Sequence, residues 1–307
     1  MLLPGPAGLL LTPMAPVEQI LINAGPSEAG SHRLETFLRC PQFFAYQYDL
    51  ADEVDLEQTR RGLVRGSLMH VFMAHHYARK GAKQPKGLMH DGECVKDPER
   101  FYRPKDAMRL AASKMSRSGD RTIAEKLLPE IDEAMVAYLA WAASRDSTLE
   151  VVAVEQQVKT IVANTWKYTA RLDLVVRNPR TDAYYVWDHK GTAQTPHTAV
   201  WDYLMSLQVA GIRRFALATY GEKFRGIALN FVGWTKPYKF DRLDANRAPA
   251  LASRMEQIIA DTETSIASLR NSKRSPWEWP VNPTNCTDRF GGRCEAWDLC
   301  AFGRPRM

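Results

Sequence analysis

Tyr168-Thr-Ala-Arg171-Leu-Asp173-Leu-Val-Val-Arg177, a break at Asn178-Pro-Arg-Thr-Asp182, then Ala183-Tyr-Tyr-Val-Trp-Asp188-His189-Lys190: the reading of this stretch decides the fold. β-Branched and aromatic residues dominate both arms, and Asn-Pro-Arg-Thr-Asp supplies a turn, so the pair reads as a β-hairpin. Side chains alternate between faces along a strand. Asp188 and Lys190 therefore share one side, while His189 points with Tyr185 and Trp187 to the other. In the first arm Ala170, Leu172 and Leu174 share a face, leaving Asp173 opposite with Arg171. Two carboxylates and a lysine can thus meet at a sheet edge. Charge is poor packing material unless it is paired or bound to a metal. Two carboxylates suit Mg²⁺ or Mn²⁺ through hard oxygen ligands, and a nearby lysine can position or help deprotonate an attacking water while countering phosphate charge. The competing reading is an exposed Asp/Lys strand end, and a lone Asp-x-Lys triplet does not separate the two.

Working outward, residues 150–159 form a strand before the hairpin and 225–234 another after it. Between them a helix over about 198–220 ends at Gly221 and carries Gln208 in an apolar stripe with Leu204, Gly211, Ile212 and Phe215. A glutamine there needs hydrogen-bond partners, which the neighbouring carboxylate and lysine cluster can supply. A long amphipathic helix follows over 243–270. Upstream, Ser31 caps a helix bearing Leu34, Phe37 and Leu38 that ends or bends at Cys40-Pro41. A second helix spans about 58–80, with His70 one turn beyond Gly66. Residues 81–103 read as a Gly/Pro/Lys-rich loop, and helices cover about 104–118 and 121–144. His90 and Cys94 in that loop have a zinc-like spacing, but two ligands do not make a site. Residues 1–30, with five prolines, read as a poorly ordered lead-in. The order of helices, three strands, helix, strand, helix is that of an α/β fold with a helical N-terminal half.

The charge of +6 and pI near 9.0 fit a polyanionic partner, although solvated faces account for individual basic clusters such as Arg270 through Arg274. No stretch resembles a transmembrane helix, and the apolar N-terminus has prolines and no basic n-region, which speaks for a cytoplasmic protein. No G-x-x-x-x-G-K-S/T or G-x-G-x-x-G sequence suggests a nucleotide site. In a reducing compartment the five cysteines are thiols or metal ligands rather than disulfides. Three of them, Cys286-x7-Cys294-x5-Cys300, lie in a loop-rich tail with little to pack against. They read as ligands, with Cys40 or Cys94 as the fourth, and spacing alone does not choose between zinc and an iron–sulfur cluster.

Taken together, these residues resemble the PD-(D/E)XK nuclease superfamily. The chain looks most like the RecB-type branch that carries an iron–sulfur cluster, which includes the CRISPR-associated adaptation exonucleases and the AddB nuclease domain. Ser31-x-x-Leu34-x-x-Phe37-x-x-Cys40-Pro41 is similar to the segment giving the first cluster cysteine, and Gly66-x-x-x-His70 to the helix whose histidine joins the metal site. Ala170-x-x-Asp173 is similar to the Gly-x-x-Asp strand, Asp188-His189-Lys190 to the Asp/Glu-x-Lys triplet, and Gln208 to the glutamine of a Gln-x-x-x-Tyr helix. Ala170 replaces the family's glycine, Ile212 its tyrosine, and the tail spacing departs from the commoner form.

The resemblance implies a restriction-endonuclease-like core, a central mixed sheet flanked by helices, over residues 31–280 with a helical insertion at about 81–145. A cysteine-rich iron–sulfur tail over 281–307 would pack back on Cys40. It implies an exonuclease hydrolysing single-stranded DNA or duplex ends in recombination, repair, phage DNA metabolism or CRISPR adaptation, in a bacterium or encoded by its phage. Protein partners would come from those pathways. Mg²⁺ or Mn²⁺ would be held by His70, Asp173, Asp188 and the His189 carbonyl, with Lys190 and Gln208 in catalysis and Glu155 as a more distant acid. A 4Fe-4S cluster would take Cys40, Cys286, Cys294 and Cys300, with zinc as the alternative. A different class of reading is a non-catalytic DNA-binding or assembly module with the cluster as a clamp.

Overall fold

The computed structural model describes residues 18–22, 29–54, 56, 61–204, 206–246, 249–286 and 294–302. Within these lie α1 (Ser31–Arg39), α2 (Pro41–Phe44), α3 (Arg61–Ala82), β1 (Leu88–His90), β2 (Glu93–Val95), α4 (Pro104–Ser113) and α5 (Ser118–Arg145). The sheet strands β3 (Glu150–Val162), β4 (Trp166–Asn178) and β5 (Ala183–Thr192) follow. The chain continues through α6 (Pro196–Ala199), α7 (Trp201–Leu204), α8 (Leu207–Tyr220), β6 (Phe224–Gly233), β7 (Phe240–Asp244), α9 (Pro249–Asn271) and α10 (Trp297–Phe302). The main sheet has the order β3-β4-β5-β6-β7, and only the β5–β6 pair is parallel. This is an α/β fold around a five-stranded mixed sheet, as expected of a restriction-endonuclease-like core.

Both faces of the sheet are covered, which explains why Leu172, Leu174, Val175 and Val176 are all buried although they alternate in direction. One apolar cluster joins Leu68, Phe72 and Met73 of α3 and Ile131 and Met135 of α5 to Val154, Leu174, Val176 and Trp187. The other joins Leu34 of α1, Val209 and Ile212 of α8 and Ile259 of α9 to Ala170, Leu172, Val175 and Val186. Strict alternation therefore fails in β4, since Ala170 and Leu172 enter one cluster and Leu174 the other. The partner strand explains the break: Glu155 of β3 has φ +49°, a left-handed backbone that re-aims side chains locally. Val154 and Val158, of equal parity, are likewise split between the clusters.

Elsewhere the elements differ from expectation in instructive ways. The expected helix over 198–220 is three pieces, because Ser206 caps a fresh start by accepting from the Val209 N–H. The expected helix from 243 is preceded by the strand β7, whose Phe-Asp-Arg-Leu-Asp is polar enough to hide in sequence because an edge strand is covered on one side only. The 81–103 loop contains the β1–β2 hairpin. His90 there meets Asp91, and the Cys94 thiol donates to the Lys86 carbonyl. Part of the supposed lead-in is structural: Ile20 bridges to Phe101, and the buried Ile22 donates its N–H to His75. Residues 1–17 and 23–28 lie outside the described residues. No described helix is long and apolar enough to cross a membrane.

Candidate active site

Three strands and two helices deliver the charged side chains. The β3–β4 turn at Ala163 and Asn164, both at positive φ, fixes the register from the Val162–Trp166 pair onward. Counting back sets Glu155 opposite Asp173, between the Val154–Leu174 and Gln156–Leu172 pairs. The pairing of β4 with β5 begins at Leu174–Trp187. Beyond that pair the Asp173 carboxylate replaces a backbone acceptor and receives the His189 N–H at 2.7 Å. The two strands part there, and the gap is filled by polar side chains.

His70 reaches the gap from α3. Its Nδ1 lies 3.5 Å from Asp173 Oδ2 and 4.0 Å from Glu155 Oε1. The donor atoms of His70, Glu155 and Asp173 all lie within 4.8 Å of one another, the only such set of three or more among the described residues. Asp188 is engaged elsewhere. Lys190 Nζ sits 2.8 Å from Asp188 Oδ2 and donates to Gln208 Oε1 at 2.8 Å, while Gln208 Nε2 donates to Asp188 Oδ1 at 2.7 Å. The three side chains close a ring, and Lys190 also lies 4.9 Å from the centre of the Tyr203 ring. A cavity of about 420 Å³ bordered by Ser67, His70, Glu155, Asp173 and Gln208 gives access to both groups.

The His189 side chain points away from this cleft, as alternation predicts. Its Nδ1 accepts from Asn230 at 2.8 Å, and its ring stacks on Tyr77. Asn230 in turn accepts from Tyr138 and from Arg242, so the strand behind the Asp-His-Lys triplet is anchored by a buried polar network.

Burial sets the electrostatics. It lifts Asp173 to about 6, with His70 pulling the other way and Asp188 adding to the rise. It lifts Glu155 well above the carboxylate range, helped by Asp173. Burial depresses Lys190, but Asp188 and Asp173 outweigh it and leave the ammonium held above its ordinary value. His189 is held well below the usual histidine range, first by burial and then by His70. The residues fit a divalent cation on two grounds. Glu155 Oε1 is buried with no hydrogen-bond partner. One imidazole nitrogen beside two carboxylates is a donor set that suits Mn²⁺ as well as Mg²⁺.

Glu155, expected as a more distant acid, lies in the same donor set as His70 and Asp173, and Tyr203, which the sequence did not single out, lies beside Lys190. The signal for Glu155 was available in the β3–β4 turn, since the register alone sets it across from Asp173. Tyr203 has no comparable sequence signal.

At the other end of the molecule Cys40 is buried among Phe43, Tyr46, Ala296 and Leu299, with Cys294 packed against them. The Asn282 N–H points at Cys40 Sγ at 3.4 Å, and the Cys294 N–H donates to the Cys286 carbonyl at 2.7 Å. Burial pushes the Cys300 thiol up to about 11, and the charges of Cys40, Cys294 and Cys286 add to it. Cys40 and the three tail thiols therefore lie in one neighbourhood.

The family model of the PD-(D/E)XK nuclease superfamily matches residues 31–301. A crystal structure from Eubacterium rectale, named as a candidate exonuclease, superposes with a TM-score of 0.51 at 11% identity, covering 91% of this chain and 89% of that one. At that identity the likeness speaks for the fold. The protein SSO0001 gives a TM-score of 0.29 at 16% identity over 55% of this chain and 74% of its own. No curated protein sequence matches. The family match over nearly the whole described chain, with the site residues inside it, shows that the protein belongs to the PD-(D/E)XK nuclease superfamily.

Proposed function

We propose that this protein is a metal-dependent DNA exonuclease acting on single strands or duplex ends. The observation that carries the reading is the pairing of an open His70–Glu155–Asp173 donor set with a closed Asp188–Lys190–Gln208 ring in one cleft. His70, Asp173 and Asp188, with the His189 carbonyl, would hold Mg²⁺ or Mn²⁺. When bound, the cation supplies Lewis-acid stabilisation of the negative charge that develops on a phosphodiester during hydrolysis. Lys190, kept protonated by its carboxylate neighbours, serves as a positive charge and hydrogen-bond donor that orients water or a phosphate oxygen, not as the resting base. Gln208 fixes the Lys190 ammonium and the Asp188 carboxylate against one another.

Incubation of end-labelled single-stranded and duplex DNA with Mn²⁺ or Mg²⁺ tests this reading. Cleavage is expected, and an Asp188→Ala/Lys190→Ala double variant should lose it. Salt-sensitive binding without turnover would instead favour a non-catalytic DNA-binding module.

The same proposal includes a 4Fe-4S cluster on Cys40, Cys286, Cys294 and Cys300. Zinc is the alternative occupant of the same four thiolates. Anaerobically purified protein should be brown and contain iron; a colourless zinc protein would contradict this part of the proposal. Recombination, repair, phage DNA metabolism and CRISPR adaptation are the pathways in which such an enzyme would work.

A further inference from the structure

The fold invests in Glu155 beyond what packing requires. Its backbone is left-handed at φ +49° inside a strand, a conformation that residues other than glycine seldom adopt and that accumulates at functional sites. Its side chain is only 4% exposed. Its Oε1 has no hydrogen-bond partner, and its Oε2 meets the Arg171 guanidinium at 3.9 Å, near the limit of an ion pair. A buried carboxylate left in that state is destabilising unless something else answers its charge.

The charges around it show what is missing. Asp188 is matched by Lys190 at 2.8 Å and bonded by Gln208. Asp173 receives a backbone N–H, which is neutral, and faces His70. Asp173 and Glu155 thus face one another across the strand pair as two carboxylates, with the Arg171 guanidinium 3.9 Å from Glu155 Oε2. Glu155 Oε1 points to the same spot as His70 Nδ1 and Asp173. Glu155 borders the 420 Å³ cleft together with His70 and Asp173, and also a second cleft of about 680 Å³.

We infer that Glu155 is a further direct ligand of the catalytic cation, so that β3 adds a carboxylate to the ligands that α3, β4 and β5 supply through His70, Asp173 and Asp188. This rests on reading the cleft as a cation site. The strained backbone of Glu155 then has a purpose: it turns the carboxylate toward His70 and away from the apolar layer that its neighbours enter.

The test is a titration of metal-free protein with Mn²⁺, following free Mn²⁺ by electron paramagnetic resonance, together with thermal unfolding with and without Mn²⁺. Glu155→Gln, which keeps the shape, should weaken Mn²⁺ binding at least about tenfold. It should remove most of the Mn²⁺-induced rise in Tm, yet leave the metal-free Tm equal to or above that of the wild type. Glu155→Asp, which keeps the charge but withdraws the oxygens by one carbon–carbon bond, should weaken binding as well. Wild-type affinity in either variant overturns the inference, and so does a wild type that binds no Mn²⁺. A fall in metal-free Tm with unchanged affinity would mark Glu155 as a partner of Arg171 only. The nuclease reading is separable: wild-type protein that digests DNA while Glu155→Gln binds Mn²⁺ normally sinks this inference alone. Protein that binds Mn²⁺ through Glu155 but digests no DNA sinks the nuclease reading alone.

Discussion

Two halves of one cleft are built on opposite principles. Asp188, Lys190 and Gln208 satisfy one another in a closed ring whose three contacts measure 2.7–2.8 Å. His70, Glu155 and Asp173 gather as closely, yet leave a buried oxygen without a partner and two carboxylates face to face. In the ring the Asp188 and Lys190 charges are paired at 2.8 Å and Gln208 bonds to both, although Asp188 Oδ2 has that ion pair as its one contact and no hydrogen bond. On the proposed reading, a bound cation would answer the charge of the open set. On that reading the two halves divide the labour: the ring would hold a fixed positive charge in place, and the open set would take up a mobile one.

The harshest way to break this comparison is Asp173→Asn, which removes charge from the open set while keeping the His189 N–H bond. Cleavage of labelled DNA should fall by at least about a thousandfold, a loss on the scale of removing charge stabilisation from a transition state. The gentler break is Gln208→Ala, which opens the ring but leaves Lys190 beside Asp188. Activity should drop by roughly 10- to 100-fold, as for outer partners of metal sites, with Mn²⁺ affinity little changed. Equal damage from the two variants would mean that the halves act as one unit.

Stability experiments sharpen the contrast further. Gly211 lies on α8 one turn beyond Gln208, and a Cβ there would fall 2.0 Å from the Tyr168 ring. Gly211→Ala should therefore cost about 1–3 kcal/mol in urea denaturation. It should also shift α8 enough to loosen the ring while sparing the open set. The fourth experiment concerns α3, which carries His70. His75 on the same helix is fully buried, accepts the Ile22 N–H, and is held at about 4 chiefly by burial. Its folded pKa lies below the unfolded value, so its contribution is complete above about pH 6.5 and is lost as pH falls toward 4. At pH 5 the loss is roughly 2 kcal/mol. Urea denaturation at pH 7 and pH 5 should show a drop of that order, reduced in His75→Gln.

The hairpin and the Asp-His-Lys triplet were legible because period-two alternation and a Pro-containing turn are strong local signals. The register that sets Glu155 across from Asp173 depends on the turn at Ala163 and Asn164, beyond the 150–159 stretch whose pattern reads as strand. What stayed hidden depended on tertiary context. The left-handed backbone at Glu155 leaves no trace in composition, and with it went the expectation that Ala170, Leu172 and Leu174 face one way. The edge strand β7 has five residues, three of them charged, which no pattern marks as sheet. The gathering of Cys40 with the tail was suggested by residue type and by family likeness, because nothing local links positions so far apart.

Anomalous diffraction from crystals soaked in Mn²⁺ would test the central claim most directly. A single strong peak is predicted in the cleft, with Glu155 among its ligands beside His70 Nδ1 and Asp173, within about 2.0–2.3 Å of each donor. A peak on Asp188 away from Glu155, or none in the cleft, would contradict the account.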